Sequence, residues 1–176
     1  MTISLSLVTY VHVAISLIAM ALGFVVMGGM LASRDLGRAS TSFLTMSGLT
    51  SVTGFFFPLN GFTPAIAVGI VSLLVLFAAC YARYGRRLAG RWRAGYVLSS
   101  CVLLYLNVFV LVAQLFQKVP ALHDLAPKQT EPPFAATQVG LLLVFVGATA
   151  LALSRFRAVQ VSSTQAAAMQ TVAEAR

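Results

Sequence analysis

Five long apolar runs, separated by short polar gaps, cover about residues 7–32, 42–58, 65–83, 96–116 and 135–154. Each approaches the ~20 residues that carry a helix across a ~30 Å hydrocarbon layer. The second is the shortest and mixes Ser, Thr and Gly among its apolar positions. The pattern predicts an all-α integral membrane bundle of five transmembrane helices, a domain covering about 1–157. A loop of 118–134 and a tail of 158–176 complete the chain.

The charges orient that bundle. With five spans and the amino terminus outside, the inner gaps are Ser33–Thr41, Tyr84–Gly95 and the tail from Arg155. All ten arginines then fall on or at the inner side, and only Lys118 and Lys128 lie outside. That asymmetry is the positive-inside pattern and sets the carboxyl terminus in the cytoplasm. A four-span count that omits the second run accounts for the charge less well. The first run lacks a basic region before it and exceeds a signal peptide's apolar core, so it reads as a retained helix. The tail is small and polar, and reads as a frayed cytoplasmic helix or as disorder.

Composition agrees with a membrane location. The chain is 59% hydrophobic and 9% charged, against about 25% charged in soluble domains, and its mean hydropathy is +0.91. The net charge of +8 does not imply nucleic acid. The arginines sit in short clusters between apolar runs, and no basic surface with interleaved aromatics remains for stacking bases. Arg86, Arg87, Arg91 and Arg93 with Trp92 instead predict contact with anionic lipid head groups at the inner face. Cys80 and Cys101 lie in apolar runs outside any CxxC or metal-ligand spacing, as buried structural thiols do.

Polar residues inside spans turn toward the bundle interior. At helical spacing the first run carries Thr9, His12, Ser16, Ala19, Gly23, Met27 and Met30 on one side. Ser47 and Ser51 in the second run, and Ala136 and Gly140 in the fifth, are small-xxx-small pairs that permit close backbone approach. Ser100, Asn107 and Gln114 recur every seven residues in the fourth run, with Gln117 near its outer end. Bundle packing accounts for most of these. The functional alternative is an outward-facing pocket lined by His12, Ser16, Asn107, Gln114 and Gln117.

The segment Gln117–Phe134 holds both lysines, His123, two of the four acids and four of the six prolines. Pro120 can open a short helix over Ala121–Ala126 that Pro127 ends. His123, Asp124, Lys128 and Glu131 would then stay wet. The segment is either a shaped connector or a lid over the pocket.

No catalytic motif is present, so no catalytic residue is assigned. No span contains Asp, Glu or Lys, which counts against an ion-coupled pump. His12 and His123 as haem ligands, or His12 with Met20, Met27 and Met30 around Cu(I), are weaker alternatives. No cofactor and no metal are expected.

The stretches LTSVTGFFFPLNGFTPA and LYLNVFVLVAQLFQKVPALHDLAPKQTEPPFAATQ resemble a group of small multi-spanning proteobacterial inner-membrane proteins. The resemblance covers about Thr9–Arg157. It implies a bacterial inner-membrane location and transfers no catalytic residue. Five spans also invite comparison with the translocator (tryptophan-rich sensory) proteins, but Trp92 is the one tryptophan here, and that kinship is rejected. The expected function is non-enzymatic: an outward-facing pocket that binds or passes a small or amphipathic ligand, in a homo-oligomer or alone. The alternative is an accessory subunit packed against a larger membrane complex.

Overall fold

The computed structural model describes residues 2–57 and 64–174, with side chains placed for 6–57, 66–156 and Ala173. Among these the chain is helical throughout, with no strand: α1 Thr2–Leu31, α2 Gly37–Gly54, α3 Pro64–Cys80, α4 Arg91–Lys118, α5 Pro120–His123 and α6 Pro132–Glu174. Four stretches are long and apolar enough to cross a membrane: Ser6–Leu31, Ile66–Gly85, Arg91–Lys118 and Pro132–Phe156. Helix α2 is not among them, because Ser, Thr and Gly dilute its apolar residues. The stretch FFFPLNGFTPA between α2 and α3 predicts a turn at Pro58, Asn60, Gly61 and Pro64; Pro64 opens α3, and the other three lie outside the described residues.

The helix ends have local causes. After α1, Ser33 takes a left-handed φ of 57°. Its N–H reaches the Met30 carbonyl at 3.1 Å, while the Arg34 N–H reaches Gly29 at 2.8 Å. This pair of bonds is a Schellman cap that satisfies carbonyls the helix leaves open. Helix α3 closes in one π-helical turn, Tyr81–Gly85, and Gly90 at φ 52° opens α4. Arg91, Trp92 and Arg93 therefore stand in the first turn of α4 rather than in a loop. The outer short helix stops at His123 instead of Ala126.

Contacts at the two ends give the helix directions. At one end Arg83 pairs with Asp35 at 3.2 Å, the Tyr84 hydroxyl donates to Thr41 at 2.9 Å, and Arg155 donates to the Leu31 carbonyl at 3.2 Å. At the other, His12 meets Thr53 and Phe116 meets Phe134 edge-on at 5.3 Å between ring centres. Helices α1, α3 and α6 thus run one way, and α2 and α4 return. Helix α4 is central, touching α1, α3 and α6, while α2 closes the gap between α1 and α3.

The core lies among α1, α2 and α4, nearer the arginine end. Phe43, Tyr96, Val97, Leu103 and Leu104 are at most 1% exposed. Gly23 is what lets these helices meet. A Cβ there would sit 2.6 Å from Leu104 Cδ1 and 2.8 Å from Phe43 Cε2. Helix α6 turns Gln138, Phe145, Ala152 and Phe156 inward at a spacing of seven, seven and four. Its backbone stays helical through Glu174, so α6 extends about 64 Å at 1.5 Å per residue.

Candidate functional site

The polar residues singled out in the spans have separate partners. His12 Nδ1 lies 2.8 Å from Thr53 Oγ1 on α2, and Phe57 meets the imidazole edge-on at 5.3 Å. The Thr53 hydroxyl is also 2.7 Å from the Leu49 carbonyl, to which it donates. That leaves its oxygen as an acceptor and puts the imidazole proton on Nδ1. Ser16 donates to the His12 carbonyl at 2.7 Å, and Asn107 to the Leu103 carbonyl at 3.2 Å, each within its own helix. Gln114 is exposed.

Gln117 turns to the outer loop instead. Its Nε2 donates to Gln129 Oε1 at 3.2 Å, and Gln129 Nε2 donates to the Ala113 carbonyl at 2.6 Å. The loop is therefore fastened to the end of α4. Gln129 holds a left-handed φ of 57° to do this. Ala126 is fully buried beneath the loop, whereas His123, Asp124 and Lys128 are exposed and Glu131 is half-buried. Desolvation works against the charged Glu131 carboxylate, but backbone hydrogen bonds and the Lys128 charge outweigh it and hold the carboxyl below its usual range. The N–H groups of Lys128 and Thr130 supply two of those bonds, at 3.2 and 3.0 Å.

At the arginine end, the Arg83 side chain is 10% exposed and its partner Asp35 45%. The guanidinium also stands over the Tyr96 ring, 5.1 Å from its centre. Arg86 stands over Trp92 at 5.5 Å, and Tyr81 meets Trp92 edge-on at 5.0 Å. Arg34, Arg38, Arg86, Arg87 and Arg91 are exposed around this cluster, which suits attraction to anionic head groups.

Buried Ser47 Oγ, Thr50 Oγ1 and Gln138 Oε1 lack a hydrogen-bond partner, while the buried Tyr96 hydroxyl interacts with those of Ser40 and Ser100. Ser100 lines a crevice between α1, α2 and α4, together with Gly23, Met27, Phe43 and Cys101. The crevice is half open and too tightly packed to admit a water molecule. Gln138, which donates to the Phe109 carbonyl at 3.3 Å, was not legible as an interior residue. The signal was its spacing of seven from Phe145.

The outward side of α6 is different in kind. Ala136, Gly140, Leu143, Gly147, Ala150 and Ser154 repeat at four, three, four, three and four residues, and all are exposed. A Cβ added at Gly140 or Gly147 would meet nothing within 4 Å. Among the described residues no group of three or more His, Cys, Asp or Glu could hold a metal ion. Comparison with protein families, curated proteins and solved structures gives no match.

Proposed function

We propose that the chain is a five-span protein of the bacterial inner membrane, amino terminus outside and carboxyl terminus cytoplasmic. It acts by lateral association, as a non-catalytic subunit packed against a second copy or a larger membrane complex. The direction of α2 supports the fifth span. If α1 and α3 both cross with their arginine ends inside, α2 must carry the chain back between them.

The observation that carries the association is the outward stripe on α6. In lipid, helices associate through close van der Waals packing, and small residues are what permit it. Gln138, Phe145 and Phe156 turn inward, while two glycines and two alanines lie exposed along one outward seam that Leu143 shares. Purification in mild detergent tests the reading. The chain should elute as an oligomer, or with a partner in fixed ratio. Gly140→Leu with Gly147→Leu should break that assembly while thermal stability of the monomer holds. A wild-type protein that runs as a lone monomer would end the proposal.

A second reading is favoured by the Gln117–Gln129–Ala113 ties, which fasten the outer loop as a cover. A small or amphipathic ligand would bind or pass beneath it, near Gln114 and His12. If His12→Ala and Gln114→Ala change neither ligand binding nor stability, this reading fails.

A further inference from the structure

The arginine end of the bundle carries more cation than it neutralises. Asp35 is the one carboxylate there among the residues with placed side chains, and Arg83 occupies it through both terminal nitrogens at 3.2 Å. Arg34 and Arg38 at the α1–α2 junction, with Arg86, Arg87 and Arg91 at the α3–α4 junction, are exposed. None of the five has an ion-pair partner among the described residues. The two junctions adjoin, because Asp35 and Thr41 of one meet Arg83 and Tyr84 of the other. Three exposed rings, Tyr81, Tyr84 and Trp92, stand among these charges.

We infer that this surface binds anionic phospholipid, its arginines clasping the head-group phosphates as fixed partners. Depth is the first argument. The apolar stretches Ser6–Leu31, Ile66–Gly85 and Arg91–Lys118 all end or begin at these clusters, which sets the guanidinium groups at head-group level. Exposed Tyr and Trp mark the same level. A soluble acidic protein is better met by charges standing clear of the bilayer.

Residue type is the second. Every basic residue at this end is arginine, and the two lysines, Lys118 and Lys128, lie at the other. Orienting a bundle needs only positive charge, which lysine supplies equally. The planar guanidinium adds two parallel hydrogen bonds to one phosphate. Arrangement is the third. Arg86 lies over the Trp92 ring at 5.5 Å, and Tyr81 braces that ring edge-on at 5.0 Å. Stacking uses the face of a guanidinium and leaves its edge N–H groups for phosphate. A side chain held this way loses less freedom on binding. The inference rests on the bundle spanning a membrane, and on neither the α6 association nor the α2 crossing.

Trp92 is the one tryptophan in the chain, so its fluorescence reports from the surface itself. The test places the full-length protein in phosphatidylcholine bilayers with a minority of phosphatidylglycerol, brominating the acyl chains of each lipid in turn. Bromine quenches a tryptophan it touches. Phosphatidylglycerol should win the place beside Trp92 with a relative affinity of about tenfold or more. Arg86→Gln with Arg91→Gln should cut that preference at least about fivefold. Arg86→Lys with Arg91→Lys keeps the charge but not the fork, and should fall between the two. Lys128→Gln should change nothing. Unaltered quenching by brominated phosphatidylcholine alone shows that each variant folds and keeps Trp92 at its depth. Equal quenching by both lipids in the wild type overturns the inference, as does a glutamine pair with the wild-type preference. A lysine pair that matches the wild type reduces the surface to plain charge attraction and overturns the clasp. A Trp92 response to soluble polyglutamate, without preference for phosphatidylglycerol, would assign the surface to an acidic protein instead.

Discussion

His12 Nδ1 stands 2.8 Å from the Thr53 hydroxyl, and this bond joins α1 to α2 at the end of the bundle opposite the arginines. It accounts for the one histidine among the membrane spans as a fastening between helices. The Thr53 oxygen is shared, accepting from His12 while its proton goes to the Leu49 carbonyl.

His12→Ala and Thr53→Val should each lower the midpoint of thermal unfolding in detergent. Interhelical hydrogen bonds in membranes are worth about 0.6–2 kcal/mol. Because both variants break one bond, the double variant should lose less than the two singles summed. Full additivity would mean that His12 does not act through Thr53.

The glycines of α1 and α6 should behave oppositely. Gly23→Ala forces a Cβ to 2.6 Å from Leu104 Cδ1, and overpacking of this kind costs about 1–3 kcal/mol. Gly147→Ala meets nothing and should leave unfolding of the isolated chain unchanged or slightly raised. Circular dichroism melts of the two variants make the comparison.

Arg83 should matter more than Asp35. The arginine is nearly buried and meets both Asp35 and the Tyr96 ring, whereas Asp35 is half-exposed and an exposed ion pair is worth ~1 kcal/mol or less. Arg83→Ala should therefore lower the unfolding midpoint clearly further than Asp35→Asn. Equal shifts would reduce Arg83 to an ordinary ion-pair partner.

The outer loop should loosen in acid. Glu131 titrates below its usual range in the folded loop, so its contribution is present above the unfolded carboxylate pKa. That contribution is lost as pH falls through the lower, folded value. Protease cleavage around 127–131 should accelerate over that acid window, and Glu131→Gln should cleave fast at every pH. A wild-type rate flat across the window would contradict this.

Much of this arrangement was legible in the residues. Apolar length gave α1, α3, α4 and the first part of α6, because a helix in lipid is written as an uninterrupted greasy run. The arginine spacing pointed to one common end, which Arg83, Asp35 and Arg155 now share. Helix α2 was harder. Its Ser40, Ser47 and Ser51 are buried against neighbours, so it can be polar and still sit inside the bundle. The pairings were not legible. Thr53 is one of several α2 hydroxyls, and which one meets His12 depends on a register between helices that no local pattern encodes. Gln117 was read as pocket lining, but its partner Gln129 lies in a loop whose path hangs on one left-handed residue.

The account depends most on α2 crossing the membrane, and sided labelling of single cysteines tests that directly. In a chain with Cys80→Ser and Cys101→Ser, Arg38→Cys and Phe56→Cys bracket α2. In intact cells an impermeant thiol reagent should reach Phe56→Cys and Thr130→Cys but spare Arg38→Cys until the membrane is opened. Labelling of Arg38→Cys and Phe56→Cys from the same side would show that α2 does not span, and the five-helix account would be wrong.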